Sequence, residues 1–337
     1  MYRTFAKHGR RLGSLTWGRG DDAMRLLVLG AGALGGYFGG RLVEAGTAEV
    51  AFLLRPARRA VLERDGLRID SPFGAWQGPV ATLAAGQARP GWDVILMSCK
   101  AYDLDDAIAA IRPAVDARTA ILPVLNGLSH VDRLIAEFGP ERVLGGLAKI
   151  QATLAPDGTV RQLNDWRWIT FGEVGGGLSE RVRAIEAAFA PARGVVAQAV
   201  PDIMARMWEK LVHLGTSAIG TVLMRANVGE VARSPGGIDF LHRMLDRNAA
   251  IASARGFPVR DAFLEEFRAV FADTGAAYAT SMLRDLEAGS RIEADHILGF
   301  LLDAARAAGV PHEVHEAAWL HAKAYEQRRE AGRLPAR

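Results

Sequence analysis

Residues 24–46 constrain this chain more than any other stretch. They read Met-Arg-Leu-Leu-Val-Leu-Gly-Ala-Gly-Ala-Leu-Gly-Gly-Tyr-Phe-Gly-Gly-Arg-Leu-Val-Glu-Ala-Gly. Arg25–Leu29 is a short apolar run with the length of a buried strand. Gly30-Ala31-Gly32-Ala33-Leu34-Gly35 follows at once, and a helix-like apolar stretch continues to Ala45. A bare G-x-G-x-x-G is weak in a chain with 37 glycines. Its place between strand and helix gives it meaning as a dinucleotide-binding turn. Gly32 lets the backbone approach a pyrophosphate, Gly35 lets the helix pack on the strand, and the helix N-terminus offers N–H groups to phosphates. Gly36, Gly39 and Gly40 continue along the helix at a cost of about 1 kcal/mol each relative to Ala. That cost implies unusually close packing of helix on sheet.

The length of 337 residues allows two domains, and the composition, half apolar and 23% charged, is that of a soluble globular protein. No apolar run reaches the ~18 residues of a membrane span. The single cysteine, Cys99, rules out an internal disulfide and fits a reducing compartment, so a cytoplasmic location is expected. A sequence pI of about 9.2 invites a nucleic-acid partner. The excess is local, however. Residues 1–23 hold Arg3, Lys7, Arg10, Arg11 and Arg19 against Asp21 and Asp22, and setting them aside cancels the net charge of +3. Neither nucleic acid nor a membrane is expected as partner. Residues 1–23 read as an upstream start or disordered arm before a natural start at Met24, with no apolar core of signal-peptide length.

Glu49–Leu54 reads as the second strand, followed by Arg55-Pro56-Ala57-Arg58-Arg59. An acid at the end of this strand takes the ribose 2′-OH of NAD, whereas an Arg accommodates the 2′-phosphate of NADP. No Asp or Glu lies between Val50 and Val61. Arg55 therefore points to NADP(H), with Arg58 or Arg59 as helpers. Short strands are expected at Leu67–Ile69 and Val80–Leu83, and continuous apolar strands at Asp93–Ser98, before Cys99-Lys100, and Thr119–Val124, before Leu125-Asn126-Gly127. Helical patterns at Leu104–Ile111 and His130–Phe138 alternate with them, which indicates an α/β, doubly wound parallel sheet. Such sheets bind ligands outside the carboxyl ends of their strands, and the glycine loop, Arg55, Lys100 and Asn126 all fall there. Between Val143 and Glu173 the pattern turns β-like, at Leu144–Leu154, Gly158–Leu163 and Trp168–Phe171. A helix at Glu180–Phe189 and a last strand at Val195–Val200 precede a domain boundary near Pro201.

Beyond Pro201 strand signals nearly vanish, and an all-α domain is expected over residues 201–330. Asp202–Arg225 is one long helical pattern, followed by helices at Gly237–Arg255, Arg260–Phe271, Ala276–Glu287, Ala294–Ala308 and His312–Gln327. Lys210 lies inside the long helix, between Met207 and Leu214 at helical spacing. Glu293 follows a break at Ala288-Gly289-Ser290, where an acid suits a helix start. His312 and His315 lack the His-Glu-x-x-His spacing and read as a surface feature of the last helix, so no metal is expected.

These pieces together resemble the ketopantoate reductase (2-dehydropantoate 2-reductase) family from Met24 to about residue 327. The resemblance rests on the glycine loop, Arg55, Lys100, Pro123-Val124-Leu125-Asn126-Gly127-Leu128, Trp208-Glu209-Lys210-Leu211, Ser281-Met282-Leu283-Arg284-Asp285 and Glu293. It implies a Rossmann domain over 24–200 and a helical domain, with substrate in the cleft between them. It implies NADPH-dependent reduction of ketopantoate to pantoate, a step of pantothenate and coenzyme A synthesis. By resemblance Lys210 is the general acid and Glu293 the substrate-orienting acid. Ser281 takes the substrate carboxylate, Arg55 and Lys100 bind cofactor phosphates, and Asn126 lies near the reacting centre. A homodimer is compatible with the resemblance.

One departure concerns substrate. The family's substrate-binding asparagines four and eight residues after the lysine are Leu214 and Ala218 here, and the asparagine before the Gly-Glu pair is Val228, with Asn227 one place earlier. Arg225 is a candidate carboxylate fork in their place. Ketopantoate is the first candidate substrate, a more apolar 2-keto acid the second. A sensor of NADP(H) without turnover is the reading from another class, and it would need neither Lys210 nor Glu293.

Overall fold

The computed structural model describes residues 23–334; nearly all of the expected leader lies outside them. The chain divides into two compact units. One runs to Leu125 and resumes over His130–Ile203, and the other comprises Asn126–Ser129 with everything from Met204.

In the first unit the elements are, in order, β1 (Met24–Leu29), α1 (Ala33–Ala45), β2 (Ala48–Leu54), α2 (Pro56–Asp65), β3 (Leu67–Asp70), β4 (Trp76–Gly78), β5 (Ala81–Ala84), β6 (Val94–Met97), α3 (Leu104–Ile111), β7 (Ala120–Pro123), α4 (Ser129–Phe138), β8 (Leu144–Lys149), β9 (Ala152–Leu154), β10 (Val160–Gln162), β11 (Trp168–Glu173), α5 (Glu180–Phe189) and β12 (Val196–Ala199). A five-stranded parallel sheet, β5-β2-β1-β6-β7, forms its centre. The inner strands β1 and β6 and the edge strand β7 are buried or half-buried along their whole length and read as largely apolar runs because both faces are covered, whereas the edge strand β5 is exposed or half-buried. Along β1, Leu26 and Val28 pack into a core with Phe38 of α1, while Leu27 enters a second core with Ile108 of α3 and Leu134 of α4. Two smaller sheets, β4-β3-β10-β9 and β12-β11-β8, complete the unit.

The glycines of α1 explain how that helix fits. A Cβ on Gly39 would stand 2.8 Å from Phe52 and Val28 of the parallel sheet. One on Gly36 or Gly40 would stand 2.7 Å from Val160 of β10 or Ile69 of β3. The helix is pressed between two sheets, and the propensity cost of its glycines is offset by that packing.

Two expectations shift here. The β-like run Leu144–Leu154 is two strands in different sheets, broken at Ile150-Gln151, and β4 carries too short a pattern to be seen in the sequence.

The second unit is helical: α6 (Ile203–Met224), α7 (Val228–Arg233), α8 (Gly237–Ala254), α9 (Asp261–Ala272), α10 (Ser281–Glu287), α11 (Phe300–Ala308) and α12 (Glu313–Glu330). The helix expected from Ala276 starts only at Ser281. The Ala276 and Tyr278 carbonyls instead accept hydrogen bonds from Gly229 and Val228 of α7, and so serve that helix's orphan donors. The helix expected over Ala294–Ala308 opens with a π-helical turn at Asp295–Gly299. No helix among the described residues is long and apolar enough to cross a membrane.

Candidate functional site

In the first unit the glycine loop joins β1 to α1. Gly30 takes a left-handed conformation (φ 86°) and donates its N–H to the Leu53 carbonyl of β2. Gly35 is closed: a Cβ there would meet the Gly30 carbonyl at 2.4 Å. Gly32 is open, with nothing within 4 Å of an added Cβ. Gly32 is also the N-cap of α1, provides no side-chain cap, and is followed by no acid in the first turn. The helix thus presents uncapped N–H groups over open space, an arrangement that suits a pyrophosphate. The loop is pinned from outside by Arg58, whose Nε donates to the Ala31 carbonyl and whose Nη1 donates to that of Gly158, both at 2.9 Å. Burial, reinforced by the charge of Arg68, lowers the pKa of Arg58. Its Nη2 is buried without a hydrogen-bond partner, a donor left over beside the cradle.

Arg55 follows β2 directly, as the N-cap of α2. Its side chain is 72% exposed and pairs with Asp103, Nη2 to Oδ2 3.1 Å. Asp103 carried no signal in the sequence, because nothing in its spacing ties it to the end of β2. Arg59, expected as a helper, is held by Glu63 and Thr82; Arg58 serves the loop. Lys100 is exposed beyond β6, at the start of a 3-10 turn.

In the second unit Lys210 lies on α6. The flanking Glu209 is buried and paired with both Arg260 Nε (2.7 Å) and Nη2 (2.5 Å), while Trp208 packs against Phe257 and Phe300. These neighbours fix the helix turn that carries the lysine. Lys210 is half-buried as a residue, yet burial of its ammonium lowers its pKa to about 8, against the opposing pull of the Glu293 carboxylate. Glu293 is itself buried, two residues before the π-helical turn.

That turn also carries His296, which sequence reasoning passed over. Its Nδ1 lies 2.6 Å from Ser129 Oγ, and its ring bonds the backbone of Asn126. Burial lowers its pKa, opposed by the charge of Glu293 and by the Asn126 bond. A bond that favours the charged ring is one the ring donates, so it ends on the Asn126 carbonyl. With Nδ1 facing Ser129, the donor is Nε2, and the neutral ring accepts from Ser129 at Nδ1. Gly127, between these partners, has φ 80° and would set a Cβ 2.7 Å from His296 Cδ2. The Glu-Ala-Asp-His order after the helix break was the available signal.

Leu214 is half-buried and Ala218 buried, one and two turns beyond Lys210. Ser281 opens α10, whose N-cap is Thr280. Asn227 is the N-cap of α7, exchanging bonds with Glu230 in a capping box, so its amide is committed to the helix end. Arg225 corrects an expectation. It is exposed, in the left-handed region (φ 52°) just past α6. By helical rise it stands about 22 Å from Lys210 along the axis, and one small keto acid does not reach both. His315 is also not a surface residue: it is buried, with Nε2 2.9 Å from Asn248 Oδ1.

A doubly wound parallel sheet with an open glycine turn, followed by a helical unit carrying a lysine under the influence of a buried carboxylate, fits a dinucleotide-dependent oxidoreductase. Comparison with known proteins narrows the class. Residues 26–176 match the family described as ketopantoate reductase PanE/ApbA, and residues 202–326 match its C-terminal domain. The chain belongs to the ketopantoate reductase family. It is 32% identical over 305 residues to the uncharacterized oxidoreductase YkpB of Bacillus subtilis, covering 90% of this chain and 99% of that one. It is 28% identical over 285 residues to the 2-dehydropantoate 2-reductase of Halobacterium salinarum, covering 84% and 92%. The crystal structure of 2-dehydropantoate 2-reductase from Methylococcus capsulatus superposes with a TM-score of 0.80 at 28% identity, covering 91% of this chain and 98% of that one.

Proposed function

We propose that this protein reduces a 2-keto acid to the 2-hydroxy acid with NADPH, using Lys210 as general acid. The observation that carries the reading is the Lys210 ammonium, set near the Glu293 carboxylate and drawn down to about 8 by burial. When bound, the reduced nicotinamide supplies a hydride to the keto carbon. Negative charge then grows on the keto oxygen. A positioned ammonium stabilises that charge and delivers the proton, a contribution of about 10²–10⁴-fold for general acid catalysis. A lysine near 8 gives up its proton more readily at neutral pH than one at its ordinary value. Glu293 keeps the ammonium charged and orients the substrate, and Ser281 takes the carboxylate.

For the cofactor, the open Gly32 cradle holds the pyrophosphate, and Arg55 at the end of β2 takes the 2′-phosphate, with Lys100 and Asn126 as further contacts. The exposed guanidinium favours NADPH over NADH, although Asp103 shares it.

Ketopantoate is the first candidate substrate, which would place the reaction in pantothenate synthesis in the cytoplasm. Leu214 and Ala218 favour a second: a branched, more apolar 2-keto acid, because two amides are replaced by groups that bind no hydroxyl. The test follows NADPH oxidation at 340 nm with a panel of 2-keto acids, and identifies the product by chromatography. Turnover with at least one of them, and formation of its 2-hydroxy acid, is expected. Tight NADPH binding with no turnover across the panel would favour the sensor reading instead.

A further inference from the structure

His296 reaches back from the helical unit to a segment of the chain far away in sequence. The π-helical turn is fixed on one side by Asp295, which accepts from Trp319 Nε1 (2.8 Å) and Lys323 Nζ (2.7 Å) of α12. The next residue, His296, is turned to the other side, onto Asn126–Ser129. Its ring meets this segment at three points: it bonds the Asn126 backbone, it fills the space where a Cβ on Gly127 would stand, and its Nδ1 lies against the Ser129 hydroxyl. Glu293 lies three residues before it and acts electrostatically on both His296 and Lys210. π-helical turns are rare and gather at functional sites. A histidine whose two ring nitrogens are both committed to one loop has a defined tautomer and orientation.

We propose that His296 is a positioning residue, which clamps the Asn126–Ser129 segment and so holds the Asn126 side chain in register with Glu293 and Lys210. The proposal rests on the assignment of Asn126 to the cofactor and substrate, made under the reductase reading. The clamp works through hydrogen bonds and not through bulk. A ring of similar size without nitrogens fills the space but leaves the Asn126 carbonyl and Ser129 hydroxyl unpartnered, and the segment loses its fixed register.

The test is a double-mutant cycle. His296→Phe should lower kcat/KM at least tenfold and weaken NADPH affinity severalfold. His296→Gln, whose amide can donate to Asn126 and accept from Ser129, should recover most of the loss. In an Asn126→Ala background His296→Phe should cost less than twofold, because its effect travels through Asn126. Ser129→Ala should act in the same direction, more weakly, and its cycle with Asn126→Ala carries the decision if His296→Phe does not fold. NADPH affinity, read by the fluorescence of the bound cofactor, is measured for every variant. If the wild type turns over no keto acid, the reductase reading fails, and the cycle on NADPH affinity still decides the clamp. Multiplicative losses in the cycle, or a lowered Tm with kcat/KM and NADPH affinity unchanged, would overturn the proposal.

Discussion

Lys210 stands under two opposed influences: burial, which disfavours its charge, and Glu293, which keeps it. A general acid must be protonated to act. With a pKa about 8, the protonated fraction is full at pH 6–7 and falls through pH 8 as the solution becomes more alkaline. The expected kcat profile is therefore level on the acid side and falls about tenfold per pH unit above 8. Lys210→Ala should lower kcat by about 10²-fold or more and erase that alkaline limb, with NADPH affinity nearly unchanged, because the loss lies in the transition state. A collapse of cofactor binding with kcat retained would make Lys210 a binding residue. Arg55 gives a second prediction at this scale. Arg55→Asp should erode the preference for NADPH over NADH by removing a cation and adding repulsion. Asp103→Asn should sharpen the preference by releasing Arg55 from its partner. The ratio of kcat/KM for the two cofactors reads both, and equal use of NADH and NADPH by the wild type would contradict the assignment.

At the scale of elements, the loop between β1 and α1 separates two roles that look identical in sequence. Gly35→Ala drives a Cβ into the Gly30 carbonyl and should lower Tm by several degrees. Gly32→Ala meets no protein atom, so Tm should hold while NADPH affinity drops at least tenfold as the methyl enters the cradle. Thermal melts with and without NADPH distinguish the two. On α6, Leu214→Asn returns an amide one turn from Lys210 and should shift kcat/KM toward ketopantoate relative to an apolar 2-keto acid, by about 0.5–1.5 kcal/mol for one neutral hydrogen bond. Ala218 is buried, so an asparagine there costs folding free energy as well, and Leu214→Asn is the cleaner variant. A wild-type preference for ketopantoate of a thousandfold or more would contradict the apolar reading.

The same elements show what the sequence made legible. α3 and α5 were read to the residue, and the strands of the parallel sheet to within a residue or two, because a strand covered on both faces is an unbroken apolar run. The places of the glycine loop between β1 and α1 and of Arg55 directly after β2 were legible because they depend on adjacency along the chain. What escaped depends on long-range contact. Asp103 meets Arg55 across the sheet edge, His296 meets Asn126 from the opposite half of the chain, and Tyr278 leaves the helical state to serve α7. Arg225 was a candidate as the cation at the end of the lysine's helix, but fifteen residues of helical rise carry it about 22 Å along the axis from Lys210.

At the scale of the whole molecule, the proposed function draws on both units: the first has an open glycine turn at a helix N-terminus, and the second has a buried lysine ammonium under the influence of a carboxylate. Asn126–Ser129 belongs to the helical unit although only Val124 and Leu125 separate it from β7. NADPH should stabilise the protein by about 2.7 kcal/mol when present at a hundred times its Kd, in the wild type and in Lys210→Ala alike. The central claim, hydride transfer to a 2-keto acid assisted by Lys210, is tested most directly with NADPH deuterated at the transferring C4 position. The wild type should yield a 2-hydroxy acid carrying deuterium at C2, and Lys210→Ala, with NADPH still bound, should yield at most about a hundredth as much in the same time. Deuterated product formed equally fast without Lys210, or none formed by the wild type from any 2-keto acid, would contradict the account.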